Sequence, residues 1–68
     1  MQKIKAPAVM IETAKRIHKS ERVQACRLME KKFIETLKTL TLWDDYTHEQ
    51  NIEMAAEAAA AEALYRFA

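Results

Sequence analysis

From Thr47 onward the chain carries apolar residues on two helical stripes that face nearly opposite ways. Ile52, Ala56, Ala59, Ala63 and Phe67 fall on one stripe, and Met54, Ala58, Ala61 and Tyr65 on the other. A helix built this way needs cover on both sides. A chain of 68 residues has room for one or two other helices, which can supply one cover internally. The second cover is expected on another copy of the same chain, so the residues of both stripes are candidate oligomer-interface positions.

The rest of the sequence offers no competitor to helix. Glycine is absent, Pro7 is the only proline, and Ala, Glu, Lys, Leu, Met, Arg and Gln dominate. The expected fold class is all-α: an antiparallel helical hairpin or a three-helix arrangement, assembled into a homo-oligomeric helical bundle. Residues 1–6 read as a tail and residues 7–68 as one helical domain. The alanine-rich stretch 55–63 is not low complexity, because Glu53, Glu57 and Glu62 keep it amphipathic. Its alanines suit a closely packed helix seam.

Helical spacing begins after Pro7, which fits a first helical turn because its missing N–H has no intrahelical acceptor there. Met10, Ala14 and Ile17 form a first stripe, and Cys26, Met29, Phe33, Leu37 and Leu40 a second. In one unbroken helix these stripes would sit roughly 140° apart. Two resolutions are open. The chain can break near residues 18–21, with Lys15, Arg16, His18 and Lys19 at one helix C-terminus and Ser20 capping the next helix. Alternatively one helix runs from about Pro7 to about Thr41, roughly 50 Å long against roughly 30 Å for the last helix, and a second subunit covers its N-terminal part.

The next boundary is better marked. Residues 41–46 interrupt the helical pattern with β-branched, aromatic and turn-prone types, and Thr47 with Gln50 has the form of a capping box. Glu49 in the first turn and Arg66 in the last both suit the dipole of a helix over 47–67. That helix is expected to fold back antiparallel on Phe33–Leu40.

Charge is distributed unevenly. Residues 1–32 hold nine Lys/Arg against three Glu, net +6, and residues 33–68 hold two against seven Asp/Glu, net −5. This favours pairing between the two halves, within or between subunits, and leaves a basic surface open to nucleic acid. Cys26 is the only cysteine, which excludes an intrachain disulfide and suits a reducing cytoplasm; a buried free thiol is expected. No apolar run approaches the roughly 20 residues of a membrane span, and the N-terminus lacks the apolar stretch of an export signal. A soluble cytoplasmic protein without membrane partners is expected.

Few residues suggest chemistry. Asp44, Asp45, His48 and Glu49 are the nearest approach to a metal-ligand cluster, but with Thr47 as N-cap the aspartates lie outside the helix and read as solvated turn carboxylates. In a continuous helix His18 has only Arg22 and Cys26 at helical spacing, and a lone Cys/His pair does not make a metal site. With no nucleophile motif, phosphate loop or paired catalytic carboxylates, neither enzyme activity nor a cofactor or metal is expected. Trp43 and Tyr46 flank the turn, where they either pack over its end or anchor a partner. In a continuous helix Lys15, Lys19 and Arg22 would align with the Cys26–Leu40 series; with Arg16 and Arg27 they form a sparse basic arm, the alternative nucleic-acid surface.

The stretch MEKKFIETLKTLTLWDDYTHEQ, residues 29–50, together with ALYRF at 63–67, resembles the small accessory proteins encoded in the early region of lambdoid temperate phages. The likeness covers residues 15–67. It implies a host cytoplasm and a modulatory part in phage development, and it transfers no functional residue. The ending AEALYRF, residues 61–67, is also similar to the Rop-type RNA-binding helical hairpin, whereas the two-phase first half departs from that family's regular heptads. The expected function is therefore regulation by protein–protein contact with itself and an unidentified host or phage protein, with nucleic-acid binding as the alternative.

Overall fold

The computed structural model describes residues 7–43 and 45–67, and these are all-helical. Three α-helices follow in order: α1 (Ala8–Arg16), α2 (Arg22–Trp43) and α3 (His48–Phe67), with a 3₁₀ turn at Lys19–Glu21 between the first two. The tail and Asp44 lie outside the described residues. No helix among the described residues is long and apolar enough to cross a membrane.

The continuous first helix does not form. Ile17 takes an extended conformation (φ −89°, ψ 145°) at the end of α1, and His18 follows at φ −54°, ψ 138°. Two extended residues swing the chain round, so the stripe of α1 and the stripe of α2 can both turn toward α3. Ile17 itself is fully buried at the corner. The expected cap, Ser20, receives the role in reverse: its backbone N–H donates to His18 Nδ1 at 3.2 Å, and its hydroxyl lies 2.7 Å from the same nitrogen. Arg22 closes the other side by donating from Nε to Ile17 O and from Nη2 to Lys15 O, both at 3.1 Å. These carbonyls belong to the last turn of α1, where acceptors lack intrahelical donors and a cation is favoured.

Pro7 stands one step before its expected place. It is the N-cap of α1, and its carbonyl accepts from Met10 N and Ile11 N at 3.0 and 3.3 Å. Thr13 lies buried in α1 without leaving an orphan hydroxyl, because Oγ1 donates to Val9 O at 2.7 Å.

α2 runs to Trp43, past the point where β-branched and aromatic residues suggest an end. Thr39 and Thr41 lie within the helix, their hydroxyls donating to Glu35 O and Leu37 O. α3 then starts as its sequence indicates. Thr47 N donates to Gln50 Oε1 at 2.9 Å and Gln50 N to Thr47 Oγ1 at 3.2 Å, a complete capping box. Arg66 pairs with Glu62 at 3.3 Å in the last turns.

The core lies where α1 and α2 meet α3. Ile17, Ala25, Met29, Phe33, Ala55, Ala56, Ala59 and Ala63 form it, with Met10, Ala14, Leu37, Ile52 and Phe67 packed against its edge. Ile17 and Met29 are its largest fully buried side chains. Alanine contributes little apolar area, so the seam gains by letting helices approach to about 8 Å and by close dispersion contact. Cys26, expected in the core, is exposed, and Ala25 is buried in its place. The buried series of α2 is thus Ala25, Met29 and Phe33, whose small first member faces the alanines of α3.

Asn51 is buried on α3 with no hydrogen-bond partner for Oδ1 among the described residues. An unsatisfied buried carbonyl costs more than it contributes. Asn51→Leu, which keeps the branched outline, is expected to stabilise the fold by about 1 kcal/mol in urea denaturation. A loss of that size would show that the amide holds α3 in register. Thr47→Ala is expected to cost about 0.5–2 kcal/mol in the same measurement because the cap loses its acceptor; an unchanged midpoint would contradict the capping box.

Candidate functional site

The two stripes of α3 have different fates. Ala56, Ala59 and Ala63 are buried within the chain's own core, and Ile52 and Phe67 pack at its margin. This seam is therefore not available to a second subunit. Asn51, Ala55 and Ala60 are buried as well, which widens the inner face to about half the helix circumference and explains how α3 receives both α1 and α2. On the outer face Met54 and Ala58 are half-buried and Ala61 is exposed, and Tyr65 is 88% exposed. Of the candidate interface residues, this outer set is the free one.

A second apolar surface opens between α1 and α2. α1 lies against α3 more than against α2, so the two N-terminal helices diverge and leave a groove of about 690 Å³. Met10, Ile11 and Ala14 form one wall, and Cys26, Met29, Phe33 and Ile34 the other; Lys15, Arg22 and Glu30 supply its charged groups. Ile11 and Ile34 are 46% and 45% exposed, large β-branched side chains that present apolar area to solvent. The volume is within the range of ligand-sized concavities. Its polar groups are few, and Arg22 is held by the carbonyls of α1. The chemistry on offer is desolvation of an apolar surface, oriented by charge at the edges.

The residues of the basic arm do not form one helical stripe. Lys15 and Arg16 end α1, Lys19 sits in the 3₁₀ turn, and Arg22 and Arg27 belong to α2. All five are exposed, and Lys15 also lies 3.8 Å from Glu12. Trp43 and Tyr46 do not pack over the end of the molecule: they are 62% and 47% exposed. Asp44 of the suggested ligand cluster is outside the described residues, and no group of three or more His, Cys, Asp or Glu among the described residues is placed to hold a metal.

Sequence spacing missed the groove because each stripe was assigned a single partner. The signal was present in the adjacent apolar pairs Met10/Ile11 and Phe33/Ile34. In each pair the second residue lies about 100° round the helix from the first, broadening the stripe past what one neighbour can cover. Comparison with known protein families, curated proteins and solved structures gives no match to this chain.

The role of Arg22 separates structure from ligand contact. Arg22→Gln is expected to lower stability by about 1 kcal/mol with or without added nucleic acid, read as a shift in the thermal midpoint. A variant as stable as wild type would remove the corner function assigned to this guanidinium.

Proposed function

We propose that this chain is a small, non-enzymatic accessory protein that acts by binding other proteins, copies of itself included. The observation that carries the reading is the apolar groove between α1 and α2, with the Met54/Ala58/Ala61/Tyr65 stripe of α3 as a second, separate apolar surface. Surfaces that the described residues leave uncovered in this way suit helix-on-helix association. Trp43 and Tyr46 add exposed aromatic side chains of the kind that anchor interfaces. The likeness to early accessory proteins of lambdoid phages supports setting these contacts in a bacterial host cytoplasm, where they would modulate phage development. The homo-oligomeric helical bundle expected from the sequence belongs to the same reading, with the outer stripe in place of the buried alanine seam.

One observation favours a second reading. Lys15, Arg16 and Lys19 are exposed around the corner after α1, and a cationic corner attracts phosphate irrespective of sequence. Arg22 contributes less freely to such a surface because its donors are engaged with backbone carbonyls.

Salt dependence separates the two. Protein association through apolar surfaces is expected to persist after nuclease treatment in an affinity capture, while duplex DNA and RNA bind only weakly at near-physiological salt. Changing Arg16 and Lys19 together to Gln leaves the corner bonds of Arg22 and the groove residue Lys15 in place and is expected to leave partner capture intact. Submicromolar nucleic-acid binding that falls steeply with salt and disappears in this folded double variant would establish the nucleic-acid reading instead.

A further inference from the structure

The groove and the outer face of α3 differ in charge as well as shape. The segment from α1 through α2 carries eight Lys/Arg against four Glu, and α3 carries four Glu against one Arg. Lys15 borders the groove on α1 and Glu30 on α2. On α2, Arg27 and Lys31 stand seven and three residues before Ile34, spacings that place them beside it on one helix face. On α3 the apolar stripe has Glu57 along one edge and, along the other, Glu62 already paired with Arg66. Small residues, Ala58 and Ala61, occupy its centre, with Met54 and Tyr65 toward the ends. The stripe from Met54 to Tyr65 is about 16 Å long and the α2 wall from Cys26 to Ile34 about 12 Å, so the two match over two to three helical turns.

We infer that the outer face of α3 of one copy docks into the α1/α2 groove of a second copy, with its Glu57 edge against the cations of Lys15, Arg27 and Lys31 at the groove margin. This rests on the proposed reading of the groove as a protein-binding surface and names its occupant. The contact is heterologous, because groove and stripe are different patches of the same molecule. No residue of α3 lines the groove, and the stripe lies on the side of α3 away from the core, so the two patches are separate surfaces of one molecule. Two copies that make this contact leave one groove and one stripe unfilled. Assembly therefore continues head to tail into short chains, or into a ring where the geometry closes. Salt weakens it at the charged edges without abolishing the apolar contact.

Light scattering on the full chain tests this with two variants at exposed positions, Tyr65→Glu on the stripe and Ile34→Glu in the groove, each first checked for native helicity. Wild-type mass is expected to rise with concentration from 7.9 kDa beyond that of two copies. Each variant alone is expected to associate at least tenfold more weakly, and an equimolar mixture to recover a two-chain species, since one variant keeps its stripe and the other its groove. Ile11→Glu is expected to replace Ile34→Glu in that mixture with the same result. A wild-type monomer at all concentrations, a plateau at two copies, or a mixture as weak as its components would overturn the inference. If the wild type stays monomeric while Ile34→Glu abolishes nuclease-resistant capture of another protein, self-docking fails and the protein-binding groove stands. Loss of all capture on nuclease treatment would remove the underlying reading as well.

Discussion

The corner from Ile17 to Arg22 is the feature on which the other contacts depend. α1 and α2 each carry a usable apolar stripe, but in a continuous helix the two would point in different directions. Extended backbone at Ile17 and His18 resets the phase, and the buried Ile17 side chain ties the turn to the core. The turn contains no glycine and needs none, because both residues adopt negative φ. Its polar cost is met locally: His18 accepts from Ser20, and Arg22 donates to the carbonyls at the end of α1. A residue that looks like part of a phosphate-binding arm is thus a brace for the corner.

From the corner follows the use of alanine in α3. Once α1 and α2 both turn toward α3, its inner face must be wide and nearly smooth. Ala55, Ala56, Ala59, Ala60 and Ala63 meet that requirement; a leucine at these positions would hold the helices apart. The cost is a core with little apolar volume. Asn51, buried on the same helix with an unpartnered carbonyl, adds a polar constraint where a small core has little to offset it. Buried polar groups of this kind are known to fix helix register in other helical assemblies.

Much of this was legible in the residues. The absence of glycine and the composition give an all-helical fold, the Thr47/Gln50 spacing gives the start of α3, and the Met10/Ala14/Ile17 series gives the inner side of α1. The break between α1 and α2 was only half legible, because its two alternatives differ in backbone angles at residues that favour neither. Cys26 went to the wrong side for a related reason. A helical series starting at residue 25 and one starting at residue 26 share Met29 and Phe33, and only the packing of Ala25 against alanines selects between them. The groove was hidden because it belongs to no single element: it exists only through the divergence of α1 from α2.

Divergence and the alanine seam have one origin. A short α1 that packs on α3 cannot also lie flush along the 22-residue α2, so the side of Met29 and Phe33 that α1 does not reach stays open beside Ile34. The seam that draws α3 inward also turns Met54 and Tyr65 outward, since a helix apolar on both sides can bury only the one that meets its own chain. Burial of each surface would require a further helical layer, which α1, α2 and α3 do not supply. In the proposed self-docking that layer comes from α3 of a second copy, whose Glu57 edge is opposite in charge to the cations at the groove margin.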